Sequence, residues 1–243
     1  MILNLSAYRF VALPDAAALR EPLHADALDR ALKGTVLLSE EGINFCLAGA
    51  PDAARGWLAA LGRDARFAAL DVKESWSDAL PFKRLRVKLK REIIRMNQPQ
   101  VQPAAARAPA LDAATLARWL DAGRDDSGRA VVLLDTRNGF EVDAGAFAGA
   151  LDWRLARFSD FPATLAEHRG ELDGRTVVTY CTGGIRCEKA ALALQSAGIE
   201  HAWQLDGGIL RYLEQVGARH WRGRCFVFDE RIALDADLAP QAQ

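Results

Sequence analysis

The sequence is poor in the residues on which disulfide-bonded and metal-bound folds depend. It holds four cysteines and four histidines in 243 residues. The cysteines are too few and too scattered for a secreted disulfide scaffold, and none forms a C-x-x-C pair. The histidines are dispersed, with no H-x-x-x-H pair and no cysteine at metal-ligand spacing, so we predict no metal site. These residues are Cys46, Cys181, Cys187, Cys225, His24, His168, His201 and His220.

Long apolar runs and a charge imbalance are also missing. No apolar run approaches the roughly 20 residues that span a bilayer. The first ten residues lack the basic and then continuously apolar regions of a signal peptide. Hydrophobic residues make up 50% of the chain, charged residues 26%, and the net charge is −1, which is typical of a soluble globular protein. We therefore expect a cytoplasmic protein with no membrane partner, on which any nucleic-acid surface is a local basic patch.

A dinucleotide-binding fingerprint is absent as well. Gly207 and Gly208 follow a predicted strand, but the G-x-G-x-x-G pattern is not present. The sequence therefore identifies no organic cofactor.

What the sequence does contain is the pattern of two domains, because 243 residues are long for one small domain and sufficient for two. Residues 1–97 alternate strand and helix periods in the β-α-β-β-α-β order of the ferredoxin-like split unit. The predicted elements are a strand at 2–11, a helix at 15–32 broken by Pro22, strands at 35–39 and 43–47, a helix at 52–61, a segment near 71–76 and a strand from 84 to about 94.

The second domain is predicted to follow a linker. Residues 98–110 hold three of the nine prolines and little that could pack, which is typical of an interdomain linker. Residues 111–222 have an α/β pattern, and continuous apolar runs such as 130–134 indicate parallel strands buried on both faces. The predicted elements are helices at 112–120, 188–196 and 209–216 and strands at 130–134, 175–180 and 201–205. Residues 223–243 are predicted as a C-terminal tail.

Cys181 begins the loop in which the sequence places its chemistry. The loop lies between a predicted buried strand and a helix, so its backbone N–H groups can converge on an anion at the helix amino end. The same partial positive charge lowers a thiol pKa and stabilises a thiolate or the terminal sulfur of a persulfide, which makes Cys181 a candidate nucleophile. A buried cysteine before an ordinary glycine turn is the disfavoured alternative. The other loop residues are Thr182, Gly183, Gly184, Ile185, Arg186 and Cys187.

Four residues around Cys181 have roles that the sequence leaves open. Asp135 and Arg137 follow a predicted strand, and we favour a supporting role over a direct catalytic one, since structural ion pairs also perturb sites. Arg186 either points at the substrate or braces the loop. Cys187 could resolve a persulfide as an internal disulfide, although simple packing near the helix start is favoured.

A phosphatase is a third hypothesis that the same loop raises. Cysteine-dependent phosphatases need an arginine six residues after the cysteine, whereas here Arg186 falls one residue early and Cys187 occupies that position. The amide groups alone do not select the anion, so this hypothesis is disfavoured.

A basic face is predicted on the strand that follows Phe82. Leu85, Val87 and Leu89 alternate with cationic residues, so one face of the strand is apolar and the other basic. That face is either solvated surface or a surface that contacts nucleic-acid phosphates. Its residues are Arg84, Arg86, Lys88 and Lys90.

Two sets of motifs resemble known families. The strand and loop at 177–187, the D-x-R-x-x-x-E element at 135–141 and the turn at 205–209 resemble rhodanese-like domains. The segments 34–44, 81–88 and 223–231 resemble the bacterial tRNA uridine hydroxylase family, and the resemblance covers nearly the whole chain. The expected fold is thus a ferredoxin-like (acylphosphatase-like) α+β domain followed by a rhodanese-like α/β domain with a parallel sheet.

The resemblance also implies a function. It implies oxygen-dependent conversion of the wobble uridine, position 34 of a tRNA, to 5-hydroxyuridine, with Cys181 as the persulfide-type active residue and molecular oxygen as co-substrate. The implied partner is tRNA and not DNA, with the ferredoxin-like domain and its basic strand docking the tRNA. The alternative enzyme is a rhodanese-type sulfurtransferase that moves sulfane sulfur through a Cys181 persulfide. A non-catalytic binding module is disfavoured, because a scaffold needs no activated thiol.

Overall fold

The chain divides into two units, Met1–Arg95 and Met96–Gln243. A computed structural model describes residues 1–239. Within these residues, no helix is both long enough and apolar enough to cross a bilayer.

The first unit consists of a five-stranded sheet with two helices. The sheet order is β4-β1-β3-β2-β5, with β5 parallel to β2 and the other pairs antiparallel. The predicted ferredoxin-like arrangement is confirmed. The elements are β1 (Ile2–Phe10), α1 (Ala16–Asp29), β2 (Lys33–Ser39), β3 (Gly42–Gly49), α2 (Pro51–Leu61), a 3-10 turn (Ala65–Phe67), β4 (Lys73–Ser77) and β5 (Leu85–Leu89).

The strand that closes this unit differs from the prediction. The sequence predicts residues 84–94 as the last strand of the β-α-β-β-α-β unit. In the structure that strand is β4, which pairs with β1 through Leu3 and Trp76. Strand β5 is shorter than the predicted strand and lies at the opposite edge of the sheet, beside β2. The sequence of β4 is Lys-Glu-Ser-Trp-Ser, with one large apolar side chain. An edge strand buries little side-chain surface, so its apolar pattern is weak and its place in the sheet is set by pairing.

Helix α1 also differs from the prediction, because it continues through Pro22. Proline inside a helix removes one backbone hydrogen bond and costs about 3 kcal/mol. Leu19, Leu23 and Ala27 of the same helix pack into the core of the first unit. This tertiary packing outweighs the local preference to end the helix at Pro22.

The core of the first unit lies between its sheet and its helices. Leu3, Leu5 and Ala7 alternate along β1 and are buried, as expected for one face of a strand. Trp57 of α2 is fully buried and packs edge to face on Phe45 of β3, with ring centroids 5.1 Å apart.

The second unit contains a five-stranded sheet in which every pair is parallel, in the order β6-β11-β10-β7-β9. The predicted parallel-sheet domain is confirmed. Its strands are β6 (Ala110–Leu111), β7 (Val131–Asp135), β8 (Gly145–Phe147), β9 (Leu151–Asp152), β10 (Thr176–Tyr180), β11 (Ala202–Leu205), β12 (Trp221–Gly223), β13 (Cys225–Phe226) and β14 (Ala233–Leu234). Its helices are α3 (Ala113–Ala122), α4 (Gly139–Val142), α5 (Phe161–His168), α6 (Ile185–Ser196) and α7 (Gly208–Val216), with 3-10 turns at Phe158–Asp160 and Arg169–Leu172.

The central strands bring three loops together. β10 lies between β7 and β11, and all five of its residues are buried. Because the strands are parallel, the loops after β7, β10 and β11 leave the same edge of the sheet, which is where such sheets place their ligands.

The segments predicted as linker and tail are partly buried. Val101, Pro103 and Ala108, in the segment predicted as a linker, are buried. In the predicted tail, β13 pairs with β14, and Cys225 and Leu234, which face each other in this pair, are both buried. Cys225 belongs to the core cluster of the second unit, so the β13–β14 pair is part of the packing of that unit.

Candidate active site

The Cys181 loop connects the end of β10 to the start of α6. Gly184 has a φ of 102° and stands immediately before the first residue of α6. This left-handed conformation is strained for residues with a side chain, so a glycine is needed where the chain turns into the helix. The turn places the amino end of α6 next to Cys181.

The sulfur of Cys181 is held by this turn. The Gly184 N–H donates a hydrogen bond to Cys181 Sγ over 3.1 Å, and the side chain is fully buried. Burial by itself raises a thiol pKa. It is outweighed by a hydrogen bond from Cys187, the charge of Arg186 and the backbone N–H groups of Arg186 and Gly184, which together lower the pKa of Cys181 to about 5. At neutral pH the site therefore holds a thiolate, the form that acts as a nucleophile.

Cys187 is the partner of Cys181. It is fully buried in the first turn of α6, and its N–H donates to the Gly184 carbonyl oxygen over 3.0 Å. Burial, together with the hydrogen bond and charge of Cys181, raises the pKa of Cys187 well above its ordinary value. Cys187 is thus the protonated member of the pair, and its S–H donates to the Cys181 thiolate. Cys187 is therefore packed in the interior and is also hydrogen-bonded to the nucleophile Cys181.

Arg186 is fixed by Glu141. The two terminal guanidinium nitrogens of Arg186 donate to the two Glu141 oxygens over 2.6 and 2.8 Å. Glu141 is fully buried and also accepts the Asn138 N–H over 3.0 Å. Although burial opposes it, the Glu141 carboxylate raises the pKa of Arg186 above its ordinary value. Of the two roles that the sequence left open for Arg186, this geometry favours bracing the loop.

Asp135 and Arg137 form a second buried ion pair. Arg137 donates to Asp135 through Nε over 2.9 Å and through Nη2 over 2.6 Å, and both side chains are completely buried. Arg137 also donates to the carbonyl oxygens of Glu141 and Gly145, over 3.3 and 2.7 Å. The pair therefore anchors the 141–145 segment to the end of β7, which favours the predicted supporting role.

Gly208 is a residue of the site that the sequence analysis missed. A Cβ atom added there lies 2.4 Å from the Cys181 carbonyl oxygen and 2.8 Å from the Gly184 nitrogen. The first turn of α7 donates Ile209 N–H to the Cys181 carbonyl oxygen over 2.9 Å and Leu210 N–H to that of Thr182 over 3.1 Å. Helix α7 thus buttresses the loop by backbone contact. The signal in the sequence is the Gly207-Gly208 pair, which belongs to the 205–209 turn of the rhodanese resemblance but was not assigned to the site.

The β13 segment is a second element that was missed. Thr182 Oγ1 donates to the Phe226 carbonyl oxygen over 3.5 Å, so β13 borders the loop. Cys225 is fully buried beside it, and burial is the main reason that its pKa is raised to about 12. Cys225 is therefore a neutral thiol. The motif at 223–231 was visible in the sequence, but its place next to Cys181 depends on tertiary contacts.

The predicted basic residues lie on and beside β5 in the first unit, whereas Cys181 lies in the second unit. Their side chains are exposed, and Val87 between them is buried. The predicted basic face is therefore exposed, but the strand is shorter than predicted and Leu89 of its predicted apolar face is also exposed. The residues are Arg84, Arg86, Lys88 and Lys90.

Within residues 1–239, no group of three or more His, Cys, Asp or Glu side chains is placed to hold a metal ion.

Comparisons with known proteins agree on both domains and on the whole chain. Residues 2–93 match the family described as UPF0176 acylphosphatase like domain, and residues 113–215 match the Rhodanese-like domain family. Among solved structures, the rhodanese-like domain of an Anabaena protein is 24% identical with a TM-score of 0.39, covering 47% of this chain and 79% of that one. Acylphosphatase from Bacillus subtilis is 21% identical with a TM-score of 0.29, covering 36% of this chain and 99% of that one.

Curated relatives match from end to end. The tRNA uridine(34) hydroxylase of Variovorax paradoxus (strain S110) is 58% identical over 241 residues, which are 99% of this chain and 92% of that protein. The protein of the same name from Bordetella pertussis (strain Tohama I) is 58% identical over 241 residues, 99% of each chain. With both domain families matched in the same order, this chain belongs to the tRNA uridine(34) hydroxylase family.

Proposed function

We propose that this protein is a tRNA-modifying enzyme that hydroxylates the wobble uridine, position 34, to 5-hydroxyuridine, with molecular oxygen as co-substrate and Cys181 as the active residue. The observation that carries the proposal is the 58% identity to proteins named tRNA uridine(34) hydroxylase over 99% of the chain. The site supports it, because the thiol at the head of the rhodanese-type loop is held as a thiolate.

The loop defines what the protein itself contributes to the chemistry. The thiolate of Cys181 is a nucleophile at neutral pH, and the Gly184 amide that stabilises it can equally hold the terminal sulfur of a persulfide. Thr182, Gly183 and Ile185 are the partly exposed residues of this loop, whereas Cys181 is buried, so we assign the approach of a substrate to these three residues.

Docking of the tRNA is assigned to the basic face of β5. Its four cationic side chains are exposed and can neutralise backbone phosphates, which dominate nucleic-acid affinity. The exposure of these four side chains supports this part of the proposal. The net charge of −1 does not oppose it, because a local basic patch is sufficient to bind phosphates.

The test is nucleoside analysis of tRNA from cells that lack the gene and carry it back in one of three forms: wild type, Cys181→Ser or Cys46→Ser. Cys46 lies on β3 of the first unit and serves as the matched cysteine control. We expect 5-hydroxyuridine and its derivatives to be restored by wild type and Cys46→Ser and to stay absent with Cys181→Ser. Growth under ¹⁸O₂ should label the new hydroxyl oxygen.

Two outcomes would contradict the proposal in different ways. Unchanged nucleosides in the deletion strain, together with robust transfer of sulfur from thiosulfate to cyanide by the purified protein, would assign the sulfurtransferase function instead. Full restoration by Cys181→Ser would show that the protein acts without its thiol, as a binding module.

A further inference from the structure

Three phenylalanines form an exposed aromatic cluster on the second unit. Phe226 packs edge to face against Phe140 and Phe228, with both centroid distances 5.2 Å, and Phe140 and Phe228 are 6.3 Å apart. Phe140 is 51% exposed and Phe228 is 63% exposed. We call Phe140, Phe226 and Phe228 the aromatic platform.

The platform adjoins the Cys181 loop at two points. The carbonyl oxygen of Phe226 accepts the hydroxyl of Thr182, the residue after Cys181. Phe140 immediately precedes Glu141, whose carboxylate holds both terminal nitrogens of Arg186. The platform is therefore connected to the loop through Thr182 and through Glu141.

The turn that carries Phe228 is closed by hydrogen bonds and an ion pair. Val227 N–H donates to the Ile232 carbonyl oxygen over 2.8 Å, and Ile232 N–H donates to that of Asp229 over 3.0 Å. Inside the turn, Arg231 and Asp229 form an ion pair of 2.6 Å in which the two side chains are only 12% and 6% exposed. Phe228 thus lies exposed on a turn that is closed by hydrogen bonds and a buried ion pair.

Ile232, in the same turn, is a second apolar residue with an exposed side chain. It is 64% exposed and has a φ of 63°, a conformation that is strained for a β-branched residue. The backbone conformation closes the turn with Val227 and Asp229 and leaves the side chain of Ile232 exposed. A contiguous apolar surface that is left exposed indicates a binding surface.

Resting on the proposed function, we propose that the aromatic platform stacks the unpaired bases of the tRNA anticodon loop beside the target uridine. Proteins hold unpaired RNA bases by stacking them on aromatic side chains. The platform is aromatic, exposed and continuous with the loop that carries Cys181, so a base bound there lies next to the reacting position. It supplies base contacts in the second unit, which phosphate contacts on β5 cannot provide.

The inference is tested with a 17-nucleotide anticodon stem-loop RNA in which 2-aminopurine replaces a loop base next to uridine 34. Wild-type protein should quench the fluorescence on binding, because stacking quenches 2-aminopurine. Phe140→Leu and Phe228→Leu keep apolar volume and remove the ring. Each should weaken binding about tenfold and lose quenching. Phe228→Tyr should retain both, and Leu28→Ala, at a residue 58% exposed on α1, should behave as wild type.

The outcomes separate this inference from the proposed function. If both leucine variants bind and quench as wild type, while Cys181 is alkylated by iodoacetamide at the wild-type rate, the platform does not stack RNA. Loss of binding to another protein by those variants, with RNA binding intact, would assign the platform to a protein partner and also overturn the inference. Failure of the wild-type gene to restore 5-hydroxyuridine in cells would count against the proposed function, whatever the binding assay shows.

Discussion

Replacing Gly208 by alanine tests whether α7 holds the Cys181 loop in place. The added Cβ would lie 2.4 Å from the Cys181 carbonyl oxygen, 2.8 Å from the Gly184 nitrogen and 2.8 Å from the Thr182 carbonyl oxygen. All three atoms belong to the backbone, so no side chain can turn away and the loop must move. Overpacking of this kind costs about 1–3 kcal/mol. The φ of +66° adds about 1–2 kcal/mol for a residue with a side chain.

Gly123 provides the matched control, because its φ is +67° and nothing lies within 4 Å of an added Cβ. We expect Gly123→Ala to lower the free energy of unfolding by about 1–2 kcal/mol and Gly208→Ala to lower it by about 2–5 kcal/mol, measured by urea unfolding of the full chain. Only Gly208→Ala should slow alkylation of Cys181 at pH 7. Equal stability losses in the two variants, with both alkylating at the wild-type rate, would refute the reasoning that α7 positions the loop.

Three other predictions follow from the site and the basic strand. The alkylation rate of Cys181 should rise with pH around a midpoint near 5 and be constant above it, because the folded pKa is about 5. Cys187→Ala removes a hydrogen-bond donor to Cys181 and should move this midpoint upward. A wild-type midpoint near the ordinary value of 9.0 would contradict the assignment of a thiolate. Glu141→Gln leaves the Arg186 guanidinium buried without the carboxylate that pairs with it and should destabilise the protein by about 3–5 kcal/mol. Asp143→Asn, the control, removes an exposed ion pair with Arg154 and should cost about 0–1 kcal/mol. Similar melting curves for the two variants would count against the bracing role of Arg186. The basic face is neutralised by four substitutions made together, Arg84→Gln, Arg86→Gln, Lys88→Gln and Lys90→Gln. This variant should bind tRNA more weakly, and the slope of log affinity against log salt concentration should decrease in magnitude by up to about 4. An affinity equal to that of the wild type at every salt concentration would show that these side chains are ordinary solvated surface.

The fold could be predicted where period and burial agree. Strands β7, β10 and β11 are short apolar runs followed by loops and helices, a pattern that few other arrangements share. The errors lie at the edge of the first sheet. Strand β4 pairs on the edge with one large apolar residue, Trp76, and its place beside β1 is decided by backbone pairing that leaves little trace in composition. Helix α1 shows the other limit, since burial of Leu19 and Leu23 overrides the local effect of Pro22.

The site could be predicted only where it is local in sequence. The residues from Cys181 to Cys187 fold into a turn whose chemistry follows from their own order. Gly208 and Phe226 reach the loop across 27 and 44 positions of chain, counted from Cys181 and from Thr182, through backbone contacts. A glycine in a turn and a phenylalanine near the end of a chain are common, and no residue type marks them as parts of a site. Only the tertiary structure assigns them.

The geometry also decides which anion the loop can hold. A bound phosphoryl group needs an arginine whose terminal nitrogens are available to its oxygens. In this loop both terminal nitrogens of Arg186 donate to Glu141, and the position where phosphatases carry their arginine is the buried thiol Cys187. The Gly184 and Arg186 amides and the Cys187 thiol all donate to one sulfur atom, that of Cys181. A loop whose donors are directed at one sulfur atom, and whose arginine is held by Glu141 and Cys181, is suited to a thiolate or a persulfide sulfur, so its chemistry is that of sulfur as the nucleophile.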